Sequence, residues 1–328
     1  MSRPVIVTFL LIAAALTCGF TPQLKHPWAF EVLAPDKFLV TQSTGELILI
    51  HNDRQEKVRN VPPVYLPAYG GLLDVAVDED GTVYLSYLHG DATASTMRVL
   101  RARLRDGALI HKRVIFESSP MQAVNVSLGG RLALAPAFVF VTVGDRGDAT
   151  RAQDLSNHQG KIIRIRADGS GSEIWSYGHR NPQGLAFDTH GHLWEHEHGP
   201  WGGDEVNLIK RGINYGWPLA TYGIDYSGIP FPNNDPKRFE QPIYYWPSGQ
   251  SLAPGSLVAE TLGDMTRLWI GTRIVTQMVL VLDIKDGHVV REHRRWQGEL
   301  GLIRDLALHD GWLYILSDYP PAIHKKRP

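Results

Sequence analysis

The chain has 328 residues, 43% of them hydrophobic and 20% charged, which is enough apolar matter for a large core and excludes a disordered protein. Its 33 Lys and Arg are balanced by 34 Asp and Glu for a formal net charge of -1, so there is no basic field to hold nucleic acid, and no nucleic-acid partner is expected. With one cysteine, an intrachain disulfide is excluded.

At the N-terminus Arg3 precedes an apolar run from Val5 to Leu16, too short to span a bilayer comfortably and followed by small and turn-forming residues. This pattern predicts a secretory signal peptide over about residues 1–22, then a single domain over 23–328 with no transmembrane span. A buried helix is the alternative, but it would carry a polar face, and this run has none. The expected location is the periplasm or the exterior. Cys18 raises lipid anchoring as a weaker reading, because Thr17 is bulkier than the small residue that such processing favours.

Beyond residue 22 no 12-residue stretch has a convincing apolar period of 3.6, so helix is scarce. A short module recurs instead: a turn with Gly or Asp, then alternating apolar and polar residues with an aromatic near the start. It occurs around Phe38, Tyr84, Phe140, Trp194, Trp269 and Tyr314, at intervals of roughly 45 to 75 residues. Such intervals suit four-stranded blades, and the reading is an all-β, six-bladed β-propeller of antiparallel blades. A β-sandwich also has many short strands, but it does not require one strand to recur at blade length.

The segment from Tyr177 to Tyr222 concentrates unusual residues. Glu195-His196-Glu197-His198-Gly199-Pro200 places two carboxylates and two imidazoles at a strand exit. His196 and His198 could supply half of a transition-metal site, but no third His or Cys stands at ligand spacing, and carboxylates with a Gly-Pro bend suit calcium better. Gly202-Gly203-Asp204-Glu205 and Asn214-Tyr215-Gly216-Trp217-Pro218 add oxygen ligands and tight turns. Arg180 and Asn181, beside a proline turn, can grip a carboxylate or carbonyl. Loop packing and surface charge explain the same residues without any ligand.

Three of these runs resemble the pyrroloquinoline quinone (PQQ)-dependent soluble aldose and glucose dehydrogenases, grouped with the sorbosone dehydrogenases. They are Tyr177-Gly178-His179-Arg180-Asn181-Pro182-Gln183-Gly184, Glu197 to Asn207, and Asn214 to Pro218. Weaker similarity at Gly70-Gly71-Leu72-Leu73, Gly129-Gly130-Arg131-Leu132, Gln153-Asp154-Leu155 and Ile303-Arg304-Asp305 extends it over most of the chain. The resemblance implies a six-bladed propeller that oxidises the anomeric carbon of a sugar to a lactone, with PQQ and calcium as cofactors and an unidentified electron acceptor. It implies that the backbone carbonyls of Gly199 and Pro200 hold the calcium that polarises the quinone, and that Glu205 and Tyr215 serve a second calcium. It further implies that Arg180 and Asn181 contact the quinone, and that Arg304 pairs with a cofactor carboxylate.

The departures from the family pattern are specific. The general-base histidine is replaced by Ser127, a glutamine by Tyr69, a lysine near Ile274 and an arginine at Leu302, with Arg273 close enough to substitute for a lost cation. His89, His158 and His179 are the histidines that folding could bring to the vacated base position. Two other readings follow from these losses: a non-catalytic relative that binds a sugar or protein, and a calcium-dependent lactonase.

Overall fold

The computed structural model describes residues 24–328 except 53, 68, 69, 125, 232, 233, 274 and 275. The expected signal peptide, Cys18, Tyr69 and Ile274 therefore lie outside the described residues. Strands dominate and form six antiparallel sheets. Blade one comprises β1 (Pro27–Ala34), β2 (Lys37–Gln42), β3 (Leu47–His51) and β4 (Arg54–Lys57). Blade two comprises β5 (Leu72–Val77), β6 (Thr82–Gly90), β7 (Ser95–Arg105) and β8 (Ala108–Glu117). Blade three comprises β9 (Gly129–Ala135), β10 (Phe138–Val143), β11 (Lys161–Arg166) and β12 (Ser172–Tyr177). Blade four comprises β13 (Pro182–Phe187), β14 (Leu193–Glu197), β15 (Asp204–Ile209) and β16 (Tyr244–Trp246). Blade five comprises β17 (Pro254–Leu262), β18 (Met265–Thr272), β19 (Val279–Lys285) and β20 (His288–Arg295). Blade six has three strands among the described residues: β21 (Leu302–His309), β22 (Trp312–Asp318) and β23 (Ala322–Lys326).

The first strand of every blade packs on the first strand of the next, in the order β1, β5, β9, β13, β17, β21 and back to β1, so the sheets close into a ring. Closure of that ring leaves the inner strands without free neighbours, which removes the edge problem on the inside of the fold. Six apolar layers fill the six gaps between blades, the last joining Phe30, Phe38 and Ile48 of blade one to Tyr314 and Leu316 of blade six. The six recurring aromatics all lie in the second strands and are buried, from Trp269 at 0% exposed to Phe38 at 6%. A fully buried large apolar side chain contributes about 1.5–3 kcal/mol, so one such anchor per blade is a repeated stabilising unit. Tight turns set the register. Asp310-Gly311 joins β21 to β22 with φ of 49° and 70°, the positive pair that a two-residue hairpin requires.

The axis is polar. Arg131 on β9 donates hydrogen bonds to Gln183 O (3.0 Å), Gly255 O (2.7 Å) and Arg304 O (2.8 Å), on blades four, five and six. Its guanidinium also pairs with Asp74 of blade two (3.6 Å) and Asp305 of blade six (3.2 Å). Asp305 in turn accepts from Phe30 N of blade one at 2.9 Å. Glu31, Asp74, Arg131, Ser256 and Asp305 line an axial cavity of about 250 Å3. Burial raises Glu31 to about 8 and Asp74 to about 7, against the opposing pull of Arg131 on Asp74. Among the described residues no helix is long and apolar enough to cross a membrane.

Candidate active site

Antiparallel pairing brings the start of each inner strand and the end of its partner to one rim of the ring. Trp28 in β1, Ser127 before β9, Arg180 and Asn181 before β13, Gly199 and Pro200 after β14, Arg273 after β18 and Arg304 in β21 all belong to that rim.

Two guanidinium groups converge there on one indole. The Arg304 and Arg273 carbons lie 4.8 and 5.7 Å from the Trp28 ring centre. Arg304 is neutralised by Asp318 at 2.9 Å. Among the described residues Arg273 pairs with no acid: burial, then the charges of Arg304 and Arg131, push it down to about 9. Its Nε is buried without a hydrogen-bond partner among the described residues, while Nη2 lies 3.5 Å from Gln183 Oε1. Gln183 Nε2 continues to Asn181 Oδ1 at 3.0 Å. A half-buried arginine whose buried Nε has no partner among the described residues is a site for an anion, and a planar polycarboxylate matches the paired forks.

Arg180 ties a second part of the rim together. Its Nη1 donates to Gly199 O (2.8 Å) and His198 O (3.1 Å), Nη2 to the Tyr226 hydroxyl (3.2 Å), and its guanidinium lies 5.4 Å from the Trp217 ring centre. The carbonyl of Gly199 thus already faces a positive charge. Backbone crowding fixes that loop, since a Cβ on Gly199 would stand 2.1 Å from Gly202 O. Asp204 holds it from below, accepting from Gly199 N (3.0 Å), Leu252 N (2.7 Å) and Ala253 N (3.1 Å).

Beneath Arg180 lies a buried carboxylate cluster. Glu197 pairs across the sheet with Glu205, and Glu195 with Asn207, so three carboxylates share one face of β14 and β15. Glu197 Oε2 accepts from Arg180 N at 2.7 Å and lies 3.9 Å from His179 Nδ1. Burial raises Glu195 and Glu197 well above the usual carboxylate range and Glu205 to about 7. Glu195 Oε1, Asn207 Oδ1 and His179 Nδ1 are buried without a hydrogen-bond partner among the described residues. Orphaned acceptors among crowded carboxylates fit a hard cation, which would replace the protons they otherwise hold. Tyr215 stacks on His179, with ring centres 4.9 Å apart. Its hydroxyl is committed to Leu208 O (2.7 Å) and Lys210 N (2.9 Å), so only its backbone carbonyl is left to serve a cation.

Ser127 adopts a left-handed conformation at φ 48°, and its backbone carbonyl accepts from Arg146 N at 3.3 Å. None of the three histidines weighed as its replacement is placed for that role. His179 belongs to the carboxylate cluster and burial pushes it down to about 3, His158 accepts from Ser119 N at 2.9 Å, and His89 lies in β6 opposite Thr96 of β7. His196 turns to Ser256 O at 2.9 Å, in the interface with blade five, and burial likewise holds it neutral. Trp28 and Asp145 escaped the sequence reading of the site, and Gln183 entered it only as part of the Tyr177 to Gly184 run. Only the ring closure brings Trp28 beside Arg304, and no motif flags such a meeting. Asp145 follows a strand exit at Val143-Gly144, a weak signal that the sequence does carry.

The ring of six blades with this rim is a β-propeller whose site suits a bound anion and a bound cation. Residues 24–324 match the Glucose / Sorbosone dehydrogenase family, and the chain belongs to that family. It is 34% identical over 328 aligned residues to the aldose sugar dehydrogenase YliI of Escherichia coli (strain K12), covering 90% of this chain and 88% of that protein. The crystal structure of the soluble aldose sugar dehydrogenase from Escherichia coli in its apo form superposes with a TM-score of 0.85 at 32% identity, over 94% of this chain and 99% of that one. The PQQ-bound form of an aldose sugar dehydrogenase from Streptomyces coelicolor shares the fold, with a TM-score of 0.78 at 24% identity over 94% and 95% of the two chains.

Proposed function

We propose that this chain is a periplasmic, PQQ- and calcium-dependent aldose dehydrogenase that oxidises the anomeric carbon of a sugar to the lactone. The observation that carries the reading is the convergence of Arg273 and Arg304 on Trp28, with Arg273 Nε unpartnered among the described residues, next to the Arg180–Gly199 loop. Arg273 restores one of the two cations that the family pattern loses at Ile274 and Leu302. Arg180, Asn181, Arg273 and Arg304 would hold the cofactor, which when bound supplies a two-electron acceptor. Pro200, and Gly199 once Arg180 turns from its carbonyl toward the cofactor, would offer oxygens to a calcium ion at the rim. Glu195, Glu197, Glu205 and Asn207, with the Tyr215 carbonyl, would hold a second ion.

The residues themselves do three things. The guanidinium groups orient an anion and neutralise it. Trp28 and Trp217 give the rim flat apolar walls, against which a ring can lie. Tyr226, 69% exposed, and Trp201, 48% exposed, extend aromatic surface outward where a sugar would arrive. Residues 1–22 would direct export, and the natural electron acceptor is a separate partner. Titration of the purified protein with PQQ and calcium, followed by aldose-dependent reduction of an artificial acceptor, tests the reading. Saturable binding with turnover supports it. Binding without turnover supports the non-catalytic reading, which the loss of the family's base favours, and lactone hydrolysis without quinone supports a lactonase.

A further inference from the structure

The face of the ring opposite the rim holds a second gathering of ligating side chains. Asp188, His190 and His192 occupy the turn between β13 and β14, and one ligand atom from each lies within 4.8 Å of the other two. His192 Nδ1 already stands 3.0 Å from Asp188 Oδ2. The Asp188 carboxylate is buried and fixed in place. Its Oδ1 accepts from His190 N (2.9 Å) and His192 N (3.0 Å), and its Oδ2 from Trp194 Nε1 (3.0 Å) and from Thr266 Oγ1 of blade five (3.2 Å). Both imidazoles are exposed, with ring centres 6.0 Å apart.

The turn itself does not need those imidazoles. Blade two closes the same turn from Asp78 to Thr82: Asp78 N donates to Thr82 O (2.9 Å) and Gly81 N to Asp78 O (2.8 Å). In blade four Asp188 N donates to His192 O (3.0 Å) and Gly191 N to Asp188 O (3.0 Å). Asp80 and Thr82 thus stand in blade two where blade four has His190 and His192. The aspartate and the glycine make the turn, and the third and fifth positions are free for another purpose. Two imidazoles with one carboxylate suit a borderline divalent cation better than calcium, which prefers oxygen throughout. Tetrahedral bonds of about 2.0–2.1 Å set ligand atoms roughly 3.4 Å apart, so the exposed rings have only about an ångström to close. Trp194 and Thr266 hold the carboxylate from behind, as the outer partners of a metal ligand do.

We propose that Asp188, His190 and His192 form a site for a borderline divalent cation of the zinc type on the far face of the propeller, with water completing the coordination. The cation takes the place of the hydrogen that bridges His192 Nδ1 and Asp188 Oδ2, and His192 keeps its proton on Nε2. Because Thr266 of β18 ties Asp188 to blade five, the ion braces the seam between blades four and five. The site is independent of the sugar-oxidising reading.

The test is calorimetric titration of the untagged full chain with zinc chloride, after saturation with calcium so that the rim carboxylates are occupied. Wild type should take up one zinc ion per chain, and zinc should raise its thermal midpoint. His190→Ala and His192→Ala should each weaken binding about tenfold or more, and the double variant should lose both the uptake and the thermal increment. Both side chains are exposed, so the zinc-free midpoints of these variants should match that of wild type. Asp188→Asn should also weaken binding; the histidine variants decide the matter if it fails to fold. Absence of saturable zinc binding in wild type, or equal affinity and stoichiometry in the double variant, would overturn the site. Zinc uptake that calcium competes away would assign the ion to the rim and overturn it equally.

Discussion

Arg131 Nη1 lies 3.2 Å from Asp305 Oδ1, a contact that crosses the axis from the third blade to the sixth. With three further carbonyl contacts and Asp74, one side chain on β9 touches blades two, four, five and six. Ring closure therefore has an electrostatic latch at its centre as well as apolar layers between its blades.

Removing that latch should be costly. Arg131→Met strands the buried Asp74 and Asp305 carboxylates without their partner, which typically costs about 3–5 kcal/mol. Urea unfolding should show that loss, whereas Arg103→Met at the solvent-exposed pair with Asp80 should leave the midpoint unchanged. Equal effects at both positions would refute the latch.

The axial acids predict a pH dependence. Glu31 holds its proton up to about 8 in the folded chain, against an ordinary 4.5 when unfolded. The folded state thus binds more protons across that window, and stability is full below about 4.5 and lost as pH rises towards 8. Thermal midpoints of the metal-free protein should decline from pH 5 to pH 8. Glu31→Gln, which cannot titrate, should flatten that slope; an unchanged slope would show that Glu31 does not carry it.

Metal addition should act on the opposite side of the rim. Filling the Glu195–Glu197–Glu205 cluster should raise the thermal midpoint, by RT ln(1 + [L]/Kd) in free energy, or about 2.7 kcal/mol at a hundredfold excess over Kd. Calcium should be effective and magnesium weak, because a carboxylate-rich cradle on fixed strands does not meet the octahedral demand of the smaller ion. Glu205→Gln should abolish the calcium increment measured by scanning calorimetry.

Arg273 predicts an affinity effect. Its charge-assisted bonds to an anion are worth about 1.5–3 kcal/mol each, so Arg273→Ala should weaken quinone binding roughly ten- to a hundredfold in an absorbance titration. Arg273→Lys should recover part of the loss, since the charge returns without the planar fork. An unchanged affinity would place the anion elsewhere.

The repeat was legible because it is local. An aromatic such as Tyr84 or Trp269 sits beside its turn in the chain, and alternation along one strand reports which face it buries. The Arg180 and Glu205 runs were legible for the same reason, each being a loop and strand exit contiguous in sequence. What stayed hidden depends on closure. Arg131 reads as an ordinary strand residue until five other blades surround it, and Trp28 meets Arg273 and Arg304 only because blade one closes on blade six.

The central claim is that the guanidinium rim holds a quinone acceptor for sugar oxidation. Its most direct test is a single titration of the purified protein with PQQ in the presence of calcium, read by quinone absorbance before and after adding an aldose. The account predicts saturable, calcium-dependent binding followed by bleaching of the oxidised quinone on sugar addition. A flat titration, with the quinone spectrum indifferent to both protein and sugar, would contradict it.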